Sequence, residues 1–178
     1  VNYESTVLLS QTVSPSQGLV FASTGSNYGI VEDICTEDTP LNPVSVYGVT
    51  KTKAEIILLD ARNAVVYRFA TGFGLSPRLR LDTVVNDFTF QAMKNRQIVI
   101  YEKGVRRTFI HVHDMARALL HAVENYNEME GEVYNVGHES MNYTKEQVAL
   151  AIKSKIDYQI YFADVGSDPD KRDYEVSY

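Results

Sequence analysis

Two short apolar runs constrain the fold more than any other feature of the chain: GLVFAST (18–24) and AVVYRFA (64–70). A strand with one face in water alternates apolar and polar residues, whereas a continuous apolar run needs cover on both faces. A helical stretch from Val46 to about Asn63 separates the two, and the alternation continues. QIVIYE (97–102), TFIHV (108–112), EVYNVG (132–137) and YQIYFA (158–163) read as strands. Residues 3–12, 82–95, 115–126 and 144–155 read as helices, with Asp82 and Asp114 placed as N-caps of the second and third. SNYGIVEDICTEDTPLNPVS (26–45) and GFGLSPRLR (72–80) read as loops, KGVRR as a turn, and the polar tail DVGSDPDKRDYEVSY as loop-like. This order predicts an α/β fold, a parallel sheet covered by helices on both faces. Ligands of such sheets bind at the carboxyl ends of the strands, where Thr24 and Thr71 both fall.

The remaining composition narrows the function classes. At 178 residues, 44% apolar and 22% charged, the chain has an ordinary globular make-up. No apolar run reaches membrane-spanning length, and the opening VNYEST is not a signal peptide. The single cysteine, Cys35, fits a reducing compartment. C-x-x-C and H-E-x-x-H spacings are absent, so no metal site is expected, and His111 and His113 read as a strand entering a capped helix. A net charge of −6 argues against nucleic-acid binding but leaves room for a small anion held by local arginines.

YGVTK (47–51) places Tyr47 and Lys51 four residues apart, on one helical face about one turn from each other. A free phenol has a pKa of about 10, and lowering it to near 7 takes roughly 4 kcal/mol. A neighbouring ammonium supplies part of that. Taken alone, the pair is either a catalytic couple or a surface feature.

FASTGSNYG (21–29), YGVTK, YRFATGFG (67–74), RRTFIHVHDMARAL (106–119) and YNVG (134–137) stand in one order over most of the chain. NYEST (2–6) is similar to an Asn-x-x-Gly-Thr segment, with Ser5 in place of glycine. Together these segments resemble the extended short-chain dehydrogenase/reductase family, in its NAD-dependent nucleotide-sugar epimerase/dehydratase group. The resemblance implies a partial doubly wound, Rossmann-like parallel sheet with a small C-terminal substrate-binding lobe. The sheet layer would be formed by residues 1–74 and 106–138, and the lobe by 75–105 and 139–178. The family's Gly-x-x-Gly-x-x-Gly turn, which brings a cofactor pyrophosphate to a helix N-terminus, is not in this sequence. The chain is therefore expected to be a piece of a longer protein and to bind dinucleotide poorly by itself.

The resemblance further implies that Tyr47 is the general acid/base, Lys51 its partner and a ribose ligand, and Thr24 the hydroxyl that meets the reacting sugar oxygen. Ser23 is the nearby alternative to Thr24, and Ser23, Phe69 and Thr71 join Tyr47 and Lys51 on the cofactor side. Arg107 and Arg172 are implied diphosphate ligands, with Arg106 beside the first. Tyr101 is the aromatic candidate for the nucleobase, with packing as the alternative, and Asn86 is a further substrate candidate. Thr71 replaces an asparagine common in sugar epimerases. The implied cofactor is NAD, with NADP left open, the implied substrate a nucleotide-diphosphate sugar, and the implied assembly a cytoplasmic homodimer through the helix carrying Tyr47. Sugar 4,6-dehydratases resemble one another in following the threonine with Asp-Glu, whereas here Gly25-Ser26 follows Thr24. That favours hydride transfer, by an epimerase or oxidoreductase, over water elimination. A dehydratase and a non-catalytic nucleotide sensor on the same fold are the alternatives.

Overall fold

The computed structural model describes residues 2–14, 16–60, 64–163, 166, 170 and 172–178. In chain order the elements are α1 (Asn2–Thr12), β1 (Leu19–Thr24), β2 (Ile30–Cys35), α2 (Val46–Asp60), β3 (Ala64–Phe69), β4 (Thr71–Phe73), α3 (Val84–Asn95), β5 (Gln97–Tyr101), β6 (Arg106–His111), α4 (Val112–Glu124), α5 (Tyr126–Met129), β7 (Val133–Val136), β8 (Asn142–Thr144), α6 (Lys145–Lys153), β9 (Gln159–Ala163) and β10 (Asp173–Val176). A 3-10 turn, Gly25–Asn27, follows β1.

The central layer is a parallel sheet in the order β1-β3-β7. β3 is buried at every position, as its unbroken apolar run predicts. Successive side chains of a strand face opposite ways, so Ala64 and Val66 cluster with Leu58 of α2, while Val65, Tyr67 and Phe69 cluster with Ala122 of α4. β1 follows the same parity, with Leu19 and Phe21 on the α2 side and Val20 on the other. The register Thr24↔Phe69 brings Thr24 and Thr71 to the same, carboxyl end of the sheet.

A separate core joins Phe88 and Ala92 of α3, Ile98 and Ile100 of β5, Phe109 of β6, Val148 and Ala149 of α6, and Tyr158. There β5 pairs in parallel with β9, and β6 joins β4 in parallel and β8 antiparallel. Among the described residues no helix is long and apolar enough to cross a membrane.

Several local expectations are corrected. Within 26–45, expected as loop, lies β2, and within the expected loop-like tail lies β10; the two pair with each other in parallel. Neither is a continuous apolar run, and each gains its ladder hydrogen bonds from a partner far away in the chain. Loop 72–80 begins with β4, and β6 starts at Arg106, inside the expected turn. Thr83, not Asp82, occupies the N-cap position of α3, without a side-chain cap hydrogen bond, and the Asp82 carboxylate pairs with Arg80 at 3.0 and 2.7 Å. His111, not Asp114, caps α4, its Nδ1 accepting from the His113 N–H at 3.2 Å. Asp114 lies in the first turn, where a negative charge suits the helix dipole. The helix expected from Val46 to about Asn63 is described as Val46–Asp60, and residues 61–63 lie outside the described residues.

Candidate active site

The first turn of α2 rests on the turn behind Thr24. Gly48 permits this contact: a Cβ there would stand 3.0 Å from the Ser26 carbonyl oxygen and 2.9 Å from Pro43 Cβ. Tyr47, beside it, is half exposed, within electrostatic reach of Arg80 and Arg172. One turn on, Lys51 donates from Nζ to the Ala22 carbonyl of β1 and lies 4.2 Å over the Phe21 ring. Burial lowers the Lys51 pKa, and the Glu55 carboxylate partly opposes that shift.

Thr24 is buried. Its Oγ1 accepts from the Ser26 N–H at 3.1 Å, capping the 3-10 turn, and donates to Ser26 Oγ at 3.0 Å. Ser23 faces the other way, by strand parity, and donates to Glu55 Oε2 at 2.6 Å. Asn27 donates to the same carboxylate oxygen at 2.9 Å and to Ser23 Oγ at 3.1 Å.

The remaining candidates separate into groups. Phe69 is buried in the sheet core, edge-on to Tyr67 with ring centroids 5.6 Å apart. Thr71, half-buried, opens β4. Asn86 holds its own loop together, accepting from the Gly74 N–H at 3.0 Å and donating to the Arg80 carbonyl at 2.8 Å. Tyr101 ends β5 partly exposed, with its ring against Gly166, where a Cβ would come within 2.7 Å. Arg107 and Arg172 meet on Asp170, and Arg172 also donates to Ser26 Oγ. Arg106 pairs instead with Asp173 and Glu175. Ser23, Thr24, Tyr47 and Lys51 thus gather at the carboxyl end of β1, and Ser26 links them to the arginine pair.

Hydroxyls and a half-buried ammonium at the ends of a parallel sheet are a donor set that fits the ribose and nicotinamide end of a dinucleotide. For the pyrophosphate the sequence supplies no glycine-rich turn. Glu55, Arg68 and Asp170 were not legible as site residues, although two signals were present. Glu55 stands one turn beyond Lys51 on the same helical face, and Arg68 interrupts an otherwise apolar strand, where a charge needs a partner.

Residues 2–137 match the model of the NAD dependent epimerase/dehydratase family. The uncharacterized UDP-glucose epimerase YtcB of Bacillus subtilis (strain 168) is 32% identical over 127 residues, covering 68% of this chain and 39% of that protein. UDP-arabinose 4-epimerase 1 of Arabidopsis thaliana is 27% identical, over 90% of this chain and 46% of its own length. The crystal structure of dTDP-glucose 4,6-dehydratase from Bacillus anthracis str. Ames, in complex with NAD, is similar with a TM-score of 0.83 at 27% identity, over 99% of this chain and 58% of that one. The chain spans about half the length of the curated relatives it matches.

Proposed function

We propose, from the premise that this chain belongs to the NAD dependent epimerase/dehydratase family, that it carries the catalytic pair and substrate site of an NAD-dependent nucleotide-sugar epimerase or oxidoreductase. The observation that carries this reading is the placement of Tyr47 and Lys51 on one face of α2, at the same sheet end as Thr24.

In this reading Tyr47 takes the proton of a sugar hydroxyl, and Thr24 hydrogen-bonds the same oxygen. Lys51, anchored on Ala22, orients the ribose and adds positive charge beside the phenol. NAD, when bound, supplies the hydride acceptor. Arg107 and Arg172 hold the diphosphate, with guanidinium forks matched to phosphate oxygens. Residues 1–74 and 106–138 form the Rossmann-like layer, which also lends Thr24, Tyr47 and Arg107 to the substrate, and 75–105 and 139–178 form the substrate-binding lobe. The protein is cytoplasmic, a setting that suits the buried free thiol of Cys35. It pairs as a homodimer through α2 and the adjoining α1, whose Val49, Ile56, Leu8 and Leu9 are exposed.

The residues after Thr24 support hydride transfer over elimination. A side chain at Gly25 would begin 3.1 Å from the Tyr174 hydroxyl, so any residue larger than glycine requires that buried ring to give by a few tenths of an ångström. The Ser26 hydroxyl is already bonded to Thr24 and Arg172. Glu32 and Asp33, the next carboxylates, lie exposed on β2.

The test is incubation of the full-length protein with UDP- and dTDP-hexoses and NAD in deuterated water, followed by mass spectrometry. An isobaric epimer, or a product lighter by two hydrogens formed as NAD is reduced, is expected. A product lighter by one water, with deuterium beside its carbonyl, would overturn the reading.

A further inference from the structure

The arginine pair already holds an anion. Asp170 Oδ1 accepts from Arg172 Nε at 2.7 Å and lies 3.2 Å from Arg107 Nη2, and Oδ2 takes Arg172 Nη2. Other donors are engaged too: Arg172 Nη1 goes to Ser26, and Arg107 reaches the backbone carbonyls of Arg106 at 2.8 Å and Asp170 at 3.2 Å. Arg107 is 3% exposed, so its charge is cut off from water and needs a partner inside the protein. A two-oxygen grip by one guanidinium, with a second guanidinium on one of the same oxygens, is how arginines also take a phosphate. Burial alone would raise the Asp170 pKa, but the hydrogen bonds and charge of Arg172, with the charge of Arg107, outweigh it and hold it at about 2. The carboxylate is therefore charged throughout the neutral range.

We propose that Asp170 is the resident anion of Arg107 and Arg172, a built-in competitor that a nucleotide diphosphate must displace to bind. The inference rests on the nucleotide-sugar reading above and adds the residue that sets substrate affinity at that site. Two guanidinium charges against one carboxylate leave a net positive charge, so an incoming group with two or more negative charges gains by the exchange. Until it arrives, neither arginine is left desolvated and unpaired, an unfavourable state for a charged group. Asp170 thus preserves the site when empty and weakens ligand binding by the free energy of its own contacts.

The experiment compares full-length wild type with Asp170→Asn by titration calorimetry, with inorganic pyrophosphate and UDP as probes. Pyrophosphate carries neither base nor sugar, so it reads the arginine pair alone. Removing the competitor should tighten pyrophosphate about tenfold, and UDP by a similar factor. Unchanged or weaker pyrophosphate binding would overturn the inference and make Asp170 a simple aligner of the arginines. If pyrophosphate tightens while UDP binds no better than pyrophosphate, the inference stands and the nucleotide reading fails. If UDP binds tightly to both proteins alike, the nucleotide reading stands and the inference fails. Tightening alone would also follow from simple repulsion between ligand and carboxylate. Carbon-13 NMR of the Asp170 carboxyl in wild type separates displacement from repulsion, and serves equally if the variant does not fold. Its resonance should move to that of a solvated carboxylate when pyrophosphate saturates the site. A resonance that stays at its unliganded position would sink the proposal.

Discussion

The Arg68 guanidinium closes on a single carboxylate oxygen of Glu55, with Nε at 2.9 Å and Nη2 at 2.6 Å, and both side chains are buried. The other Glu55 oxygen takes Ser23 and Asn27. Arg68 continues to the Tyr28 hydroxyl at 3.0 Å, which donates to Asn135 Oδ1 at 2.7 Å. One carboxylate of α2 therefore ties the helix carrying Tyr47 and Lys51 to β1, β3 and the turn behind Thr24, and through Tyr28 to β7. Strand parity explains the meeting: Ser23 and Arg68 occupy the positions of β1 and β3 that face α2.

Glu55→Gln should destabilise the fold by about 3–5 kcal/mol, the usual cost of leaving a buried charge unpaired. Arg68→Met should cost a comparable amount, and the double variant much less than the sum, since the second change removes the charge the first one stranded. Urea unfolding of the four proteins measures this. Additive effects would show that the pair is not coupled.

Asp170 gives a prediction about acid. Its folded-state pKa of about 2 lies below the ordinary aspartate value of about 3.9. The stability it adds is thus fully present above about pH 4 and lost as pH falls toward 2. Thermal melting of wild type and Asp170→Asn across pH 2–7 should show a gap that is constant from pH 7 to about 5 and closes below about 4. A gap independent of pH would mean that the carboxylate's charge contributes nothing.

Gly48 tests how closely α2 must approach the Thr24 turn. Alanine is favoured over glycine in a helix by about 1 kcal/mol. Here its Cβ would press on the Ser26 carbonyl oxygen and on Pro43. Gly48→Ala should change stability by less than about 1 kcal/mol, because propensity and crowding oppose each other. Turnover should fall by about tenfold or more, since a displaced first turn carries Tyr47 with it and small misplacements are costly. Denaturation and kcat/KM measured on the same preparation decide it, and wild-type turnover would refute the requirement for close packing.

The parallel layer was legible because β1 and β3 write their burial into short apolar runs, and α2 writes Tyr47 and Lys51 into one-turn spacing. What stayed hidden depends on distant partners. The pairing of β2 with β10 has no local cause: IVEDIC and DYEV are short, half-polar edges that become strands only together. Asp170 was equally unreadable, one acid in a polar tail until the fold sets it between Arg107 and Arg172. Asn86 and Phe69 show the opposite limit. The resemblance implied ligand roles for both, whereas what the fold gives them, a loop-holding amide and a core ring, depends on distant partners that no motif spells out.

Tyr47→Phe isolates the proposed chemical step. The substitution keeps the half-exposed ring and removes only the hydroxyl proposed to exchange a proton with the sugar. General acid/base groups contribute about 10²–10⁴-fold, so kcat should fall by at least that order while KM stays within a few-fold. Lys51→Met should act differently. The ammonium reaches from α2 to the Ala22 carbonyl, over Phe21, and on the proposed reading meets the cofactor ribose as well. Its loss should lower kcat and weaken NAD binding together, whereas Tyr47→Phe should leave NAD affinity nearly unchanged. Steady-state kinetics and NAD calorimetry on the full-length variants resolve the two patterns. Wild-type kcat in Tyr47→Phe would end the catalytic assignment. An unchanged NAD affinity in Lys51→Met would confine Lys51 to assisting the phenol.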